Sequence, residues 1–313
     1  MIRWGFLGAG WIATTALAPA VASAPNATLF AVASRDENRS RALGPSKVHA
    51  SYEALIEDPD VDAIYISLAN HQHCEWTIKA LNAGKHVLCE KPLAMNGAEV
   101  REMAAAAVAN DRLLVEAVWS LWHPRMMRAA ESVKAGDIGQ VESIDASFTF
   151  NNPLENNYRL QSSMGGGSLL DVGPYLAHSS ASLLGNSDVN ILSVERSLGV
   201  TGVDLTTQIH AELGGGVKFS GLTSFERDEE QRLVIQGDPG TLEFIGNDAF
   251  TSYKKSSSLR IGARVEEFAA VDPYAVMVED FSRRISGEDA WVLPIDQSIY
   301  VADLLGQVQT FSK

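Results

Sequence analysis

Cysteine is scarce in this chain. Two residues in 313, Cys74 and Cys89, form no disulfide framework and no metal-ligand spacing, which suits a reducing cytosol. Positive charge is also short: 25 Lys and Arg against 39 Asp and Glu leave a net charge of −14, which argues against nucleic acid or an anionic membrane as a partner. A local cationic pocket is still permitted. The stretch from Trp4 to Ser34 has no charge at all and, with Met1-Ile2-Arg3 before it and Ala22-Ser23-Ala24 within it, has the outline of a signal peptide. However, Gly8, Gly10, Thr14, Thr15 and Pro19 make it a poor apolar segment for secretion or membrane spanning, and cleavage would remove a strand and a glycine loop. A cytoplasmic location is therefore expected. There is no internal repeat and no low-complexity tract, and no Gly-x-Ser-x-Gly surrounds Ser168 to support a hydrolase elbow. What remains, 46% hydrophobic and 20% charged, is ordinary for a soluble globular protein, with a length that fits about two domains.

The first half alternates strands with helices. Ile2–Leu7 is a short apolar strand followed at once by Gly8-Ala9-Gly10-Trp11-Ile12-Ala13, a G-x-G-x-x-A pattern opening a helix over Thr14–Ala22. Glycines there permit a tight turn and close backbone approach, so a pyrophosphate can sit on the helix N-terminus. Its position between strand and helix makes the motif more than a chance cluster of small residues, and Gly8, Gly10, Trp11 and Ile12 are its candidate cofactor contacts. The second strand, Thr28–Ala33, ends in Ser34-Arg35-Asp36-Glu37-Asn38-Arg39. Ser34 stands where a reader of the NAD ribose usually places an acidic residue. Arg35 and Arg39 can embrace a 2′-phosphate with Ser34 donating to it, whereas Asp36 is a competing reader of an unphosphorylated ribose. NADP is favoured, with NAD possible. Helix Tyr52–Glu57, strand Ala63–Leu68, helix Cys74–Asn82, strand His86–Cys89, helix Gly97–Asn110 and strand Leu113–Ala117 follow, which implies a parallel, doubly wound sheet. Leu68, Asn70, His71 and His73 then fall at the carboxyl-end face. Capping and cofactor contact by Asn70 and His73 outweigh a metal site, because no acidic or thiol partner follows at ligand spacing.

After Trp122-His123-Pro124 the pattern changes. A helix over Met126–Ala135 leads into Val141–Phe150, and later runs at Asn190–Ser197, Leu205–Leu213, Val217–Phe225, Gln231–Gln236 and Thr241–Ile245 share its period-2 tendency. These read as a mainly antiparallel sheet, closed by helices Tyr274–Ser286 and Gln297–Phe311. The domains expected are 1–120, binding dinucleotide, and 121–313, binding substrate.

Two segments carry chemistry. Glu90-Lys91-Pro92 follows the strand His86–Cys89, so Lys91 stands at the carboxyl end where open α/β sheets hold ligands, and it can polarise a carbonyl or acidify a nearby hydroxyl. Pro92 constrains the backbone around it. A solvated lysine is the ordinary alternative. Gly165-Gly166-Gly167-Ser168-Leu169-Leu170-Asp171-Val172-Gly173-Pro174-Tyr175 puts Asp171 and Tyr175 four apart, on one helix face if Pro174 does not break the helix. By itself that segment reads as a glycine hinge feeding a core helix, with Tyr175 half buried and Asp171 capping.

Taken together, Gly8–Ala13, Gly84-Lys85-His86-Val87-Leu88-Cys89-Glu90-Lys91-Pro92-Leu93 and Gly165–Tyr175 resemble, in order and interval, the glucose–fructose oxidoreductase/inositol dehydrogenase/MocA family over the full length. The resemblance implies an N-terminal Rossmann domain and a C-terminal α/β domain whose large open sheet commonly forms an oligomer face, hence a homo-oligomer, dimer or tetramer. It also implies NAD(P)-linked hydride transfer on sugars or similar alcohols. Lys91 matches the family's active-site lysine, whose following proline is often cis, and Glu90 joins the cofactor contacts. Asp171 matches the aspartate that helps order substrate. Tyr175 occupies a position that is often histidine in the family, and a tyrosine there resembles the branch holding glucose–fructose oxidoreductase, xylose dehydrogenases and dimeric dihydrodiol dehydrogenase. Tyr158-Arg159 resembles an aromatic–arginine pair near the nicotinamide, and His178 is expected to be structural. Leu121 replaces an arginine usual before the Phe-His-Pro equivalent, which removes whatever contact that arginine makes. Trp119, Trp122 and Tyr158 are either apolar faces for a sugar ring or core. The competing readings are a catalytically silent dinucleotide-binding sensor, against which the retention of Lys91, Asp171 and Tyr175 argues, and an NAD-linked inositol-type dehydrogenase, which Tyr175 in place of histidine disfavours.

Overall fold

A computed structural model describes residues 1–151 and 157–312. The chain forms two compact units, Met1–Trp119 with Asp272–Ile299, and Ser120–Val271 with Tyr300–Lys313. Residues 272–299 thus return to the first unit, which corrects the expectation that everything after residue 120 belongs to the second. The cause is the packing of the helix Pro273–Ile285: Phe281 lies 5.2 Å from the Trp4 ring, Trp4 Nε1 donates to Ser282 Oγ at 3.3 Å, and Asn26 Nδ2 donates to the Glu279 carbonyl at 3.1 Å.

In the first unit six parallel strands, β1 (Ile2–Leu7), β2 (Ala27–Ala33), β3 (Lys47–His49), β4 (Ala63–Ile66), β5 (His86–Cys89) and β6 (Leu114–Glu116), lie in the order β3-β2-β1-β4-β5-β6. The order reverses between β1 and β4, the topological switch point beside which such sheets bind ligands at their carboxyl ends. β4 is buried at every position, as a strand covered on both faces must be. The chain after β1 enters a π-helical turn, Ala13–Leu17, before α1 (Ala18–Ser23). Pro19 has no N–H to give the Thr15 carbonyl and its ring crowds that carbonyl, and the widened turn relieves both. Helices α2 (Glu37–Ala42), α3 (Tyr52–Ile56), α4 (His73–Asn82) and α5 (Gly97–Ala109) complete the first layer set.

The second unit opens with α6 (Pro124–Ala135), capped by His123 Nδ1, which accepts from the Arg125 amide at 3.0 Å. Its sheet contains β7 (Gly139–Thr149), β8 (Val189–Leu198), β9 (Asp204–Leu213), β10 (Val217–Ser224), β11 (Glu230–Pro239), β12 (Thr241–Ile245), β13 (Ser257–Ile261) and β14 (Arg264–Phe268) in the order β14-β13-β12-β11-β7-β10-β9-β8. Only β7 and β10 pair in parallel, so the sheet is mainly antiparallel. Its alternating residues Ile144, Ala146, Ile209, Ala211, Phe219, Leu233 and Ile235 are buried, and α7 (Ser168–Leu184) packs against β7, β9 and β10. Two further helices, α8 (Pro273–Ile285) and α9 (Ile295–Thr310), end the chain.

Candidate active site

At the carboxyl end of β1, Gly8 has φ of +101°, and a Cβ there would lie 2.8 Å from the Ser67 carbonyl oxygen and 3.3 Å from Leu68 Cδ2. Only glycine fits this turn, and the turn brings Leu68 against the loop. A Cβ on Gly10 would meet nothing within 4 Å, so the loop faces open space just where the next helix begins. Trp11 is 77% exposed beside it, and Ile12 is half-buried. Thr14 Oγ1 and Thr15 Oγ1 donate back to the Gly10 and Trp11 carbonyls at 3.0 and 2.8 Å, which fixes the loop's exit into the helix.

The end of β2 is organised around Asp36. Its Oδ1 accepts from the Asn38 and Arg39 amides at 2.9 and 3.3 Å, so the carboxylate caps α2. Arg39 Nε lies 3.6 Å from the same carboxylate. Ser34 Oγ donates to the Asp36 carbonyl at 2.6 Å and meets Ser40 Oγ at 2.8 Å, while Arg35 and Arg39 are exposed. A strand end with Ser34 at its tip and two exposed guanidiniums beyond it, one of them beside the Asp36 carboxylate, next to a glycine loop with unfilled space, fits an anionic dinucleotide carrying an extra phosphate.

Lys91 follows β5 on an arch that is held at three points. The Glu90 carboxylate accepts from the Tyr65 hydroxyl at 2.7 Å, His73 Nδ1 contacts the Pro92 carbonyl oxygen at 2.8 Å, and the Leu93 amide donates to Glu116 Oε1 at 3.0 Å. The Lys91–Pro92 peptide is cis. Of residues 90 to 94 only Lys91 escapes burial. The side chains of two residues assigned from sequence are buried. His73 is fully buried, and its other nitrogen lies 3.1 Å from the Leu68 carbonyl, so its side chain ties two backbone loops together. Burial lowers its pKa against the opposing pull of the Pro92 and Leu68 carbonyls. Glu90 likewise points inward. Burial raises its carboxyl pKa, and the Tyr65 hydrogen bond and the Lys91 charge draw it back, so any cofactor contact from Glu90 falls to its backbone. Asn70 is buried at the start of a 3₁₀ turn, Asn70–Gln72, which leads into α4.

The second unit presents the other candidates. Asp171 and Tyr175 lie one turn apart on α7, which runs unbroken through Pro174. Arg159 Nε donates to Asp171 Oδ2 at 2.8 Å, and its guanidinium sits 4.9 Å from the Tyr158 ring centroid. Burial works against the Arg159 charge, but Asp171 foremost, with Tyr158, holds its pKa above the ordinary arginine value. Tyr175 is 6% exposed, with its ring 5.4 Å from that of Phe148 and 6.2 Å from that of Phe250. His178 is fully buried, and so is Trp122, while Trp119 stacks on Tyr274 at 4.6 Å. The two tryptophans are core residues, which leaves Tyr158 as the half-exposed aromatic.

Tyr65 and Glu116, which hold the arch, were not legible as site residues, since each reads as an ordinary strand position. Lys91 belongs to the first unit and Asp171, Tyr175 and Arg159 to the second.

Comparison with known proteins accords with this geometry. A family model described as "Oxidoreductase family, NAD-binding Rossmann fold" matches residues 2–117, and one described as "GFO/IDH/MocA C-terminal domain" matches residues 126–243. The chain is 32% identical to D-xylose 1-dehydrogenase (NADP(+)) 2 of Haloferax volcanii over 310 residues, covering 96% of this chain and 94% of the other. It is 35% identical to trans-1,2-dihydrobenzene-1,2-diol dehydrogenase of Mus musculus over 247 residues, covering 76% and 73%. The crystal structure of KijD10, a 3-ketoreductase from Actinomadura kijaniata in complex with NADP and TDP-benzene, superposes with a TM-score of 0.90 at 28% identity, covering 99% of this chain and 97% of the other.

Proposed function

The chain belongs to the GFO/IDH/MocA oxidoreductase family, and on that footing we propose that it is an NADP-preferring dehydrogenase or reductase of a sugar or related small alcohol or carbonyl compound, with Lys91 and Tyr175 as its proton-handling pair. The observation that carries the reading is the setting of Lys91: the one side chain left unburied on an arch pinned by Tyr65, His73 and Glu116, at the carboxyl end of β5 in a sheet whose first turn fits a dinucleotide. A structural lysine would not need a platform fixed at three points. The relatives' names support the cofactor and the substrate class, since two of the three name NADP and one names a sugar.

When bound, the nicotinamide supplies the hydride acceptor or donor. Arg35 and Arg39 hold the 2′-phosphate, and the Gly8–Ile12 turn receives the pyrophosphate. Tyr175 takes the proton of the substrate hydroxyl during oxidation and returns it to the carbonyl oxygen during reduction. Cationic Lys91 stabilises negative charge on that oxygen and on the phenolate, and Asp171, oriented by Arg159, accepts a hydrogen bond from a neighbouring substrate hydroxyl. The eight-stranded sheet forms the homo-oligomer contact through its half-exposed face, where Gln208, His210, Ser220, Val234 and Gln236 lie. Among the described residues no helix is long and apolar enough to cross a membrane.

The test is nicotinamide absorbance in a panel of D-xylose, D-glucose, a keto-sugar and a trans-dihydrodiol with NADP or NADPH. Turnover of at least one is expected. Tight NADPH binding with no absorbance change across the panel would contradict enzymatic function on this substrate class.

A further inference from the structure

We propose that Asp204, the first residue of β9, is a positioning residue that sets the register of α7 and thereby aims Asp171 and Tyr175; the catalytic part of this inference rests on the role given above to Tyr175. Helix α7 starts at Ser168, and its N-cap residue is Gly167, which has φ of +115° and no side chain with which to cap. An N-cap oxygen normally accepts from the second or third helical amide. Here that oxygen comes from a residue 35 positions downstream. Asp204 Oδ2 accepts from the Leu169 amide at 2.8 Å, from Ser168 Oγ at 2.7 Å and from Thr207 Oγ1 at 2.9 Å. Three donors thus converge on one carboxylate oxygen at the positive end of a 17-residue helix, where an acidic side chain is favoured.

The surroundings are built to admit this carboxylate. A Cβ on Gly167 would stand 2.1 Å from Asp204 Oδ1, so no other residue fits at the cap while Asp204 is in place. Gly166 lies equally close to the backbone of Arg159, where a Cβ would meet the carbonyl oxygen at 2.5 Å, and the Gly167 amide donates to that same carbonyl at 2.8 Å. The glycine run is thus explained by two close approaches, Arg159 on one side and Asp204 on the other. Ser168 Oγ also meets Thr223 Oγ1 of β10 at 2.9 Å, which extends the lock into the sheet. Downstream of the lock, the Asp171 amide donates to the Gly167 carbonyl at 3.1 Å, and the Asp171 carboxylate receives Arg159. A rotation of α7's first turn would therefore move Asp171 directly, and Tyr175 one turn later.

The test compares the full-length protein with Asp204→Ala, Asp204→Asn and Asp204→Ala combined with Tyr175→Phe, by steady-state kinetics with D-xylose and NADP and by amide hydrogen exchange over residues 168–171. Asp204→Ala is expected to lower kcat by about 10- to 10²-fold, with KM for NADP little changed, because displacement of the reacting groups costs rate without touching the cofactor. Asp204→Asn, which keeps an acceptor for the Leu169 amide, should restore most of that loss, and Asp204→Ala should add little to Tyr175→Phe. An unchanged kcat in Asp204→Ala, or a loss that multiplies with that of Tyr175→Phe, would overturn the positioning role. Exchange gives a readout independent of turnover: protection of the 168–171 amides should fall in Asp204→Ala and survive in Asp204→Asn. Equal protection in all forms would overturn the cap itself, whereas lost protection in a protein that turns over no member of the substrate panel above would uphold the cap and refute the function assigned above.

Discussion

A phenol gives and takes a proton usefully near neutral pH only when a neighbouring cation stabilises its anion, and Lys91 is the cation assigned that task. Replacing Tyr175 with Phe keeps the ring against Phe148 and Phe250 and removes only the hydroxyl. Turnover should fall by roughly 10²–10⁴ while the NADPH Kd, measured by fluorescence titration, stays nearly constant. Unchanged turnover would take Tyr175 out of proton transfer. Arg35 and Arg39 face a sharper comparison, because the Asp36 carboxylate is committed to capping α2. Substituting both with Ala should weaken NADP far more than NAD, and an equal loss would remove the 2′-phosphate assignment. Lys91 was singled out by its place after a strand, and Asp171 and Tyr175 by the resemblance of Gly165–Tyr175 to the family pattern; their roles are proposals. The two backbone carbonyls that His73 meets were not legible, because an imidazole reads alike in sequence whether it faces a ligand or buried carbonyls.

Elements show how the site is mounted. The β1 turn depends on Gly8, where φ of +101° and the nearby Ser67 carbonyl leave no space for a methyl group. Gly8→Ala should destabilise the protein by about 1–3 kcal/mol and weaken NADPH binding, as read by thermal melting with and without NADPH. A Tm and a ligand-induced shift equal to those of the wild type would show that the turn is less constrained. The parallel alternation of the first unit was legible because its strands are short apolar runs between amphipathic helices. Three strands were not. β3 has only Lys47, Val48 and His49, and β13 and β14 carry polar or charged residues at most positions, so neither length nor period announced them. The π-helical turn at Ala13–Leu17 also escaped, since its cause is the missing N–H of Pro19 and not a pattern of side chains.

At the scale of the molecule, acid stability should report a tie at β3 that lies outside the candidate site. Asp58 accepts from Lys47 Nζ at 2.7 Å and contacts His49 Nε2 at 2.9 Å. The Lys47 hydrogen bond, opposed by burial and aided by the Asp60 amide and His49, lowers its pKa to about 2. A depressed carboxylate contributes stability above its unfolded pKa of about 3.9 and loses it as pH falls through the folded value. The Tm difference between the wild type and Asp58→Asn should therefore be largest above pH ~4 and shrink toward pH ~2; a difference independent of pH would refute the tie. The return of α8 to the first unit was not legible either, because an amphipathic helix does not state which sheet it will cover.

The most direct trial of the Lys91–Tyr175 pair is a double-mutant cycle on kcat with Lys91→Met and Tyr175→Phe. Two groups serving one proton transfer should give a double variant scarcely slower than the worse single variant, and losses that simply multiply would show that the two side chains act independently.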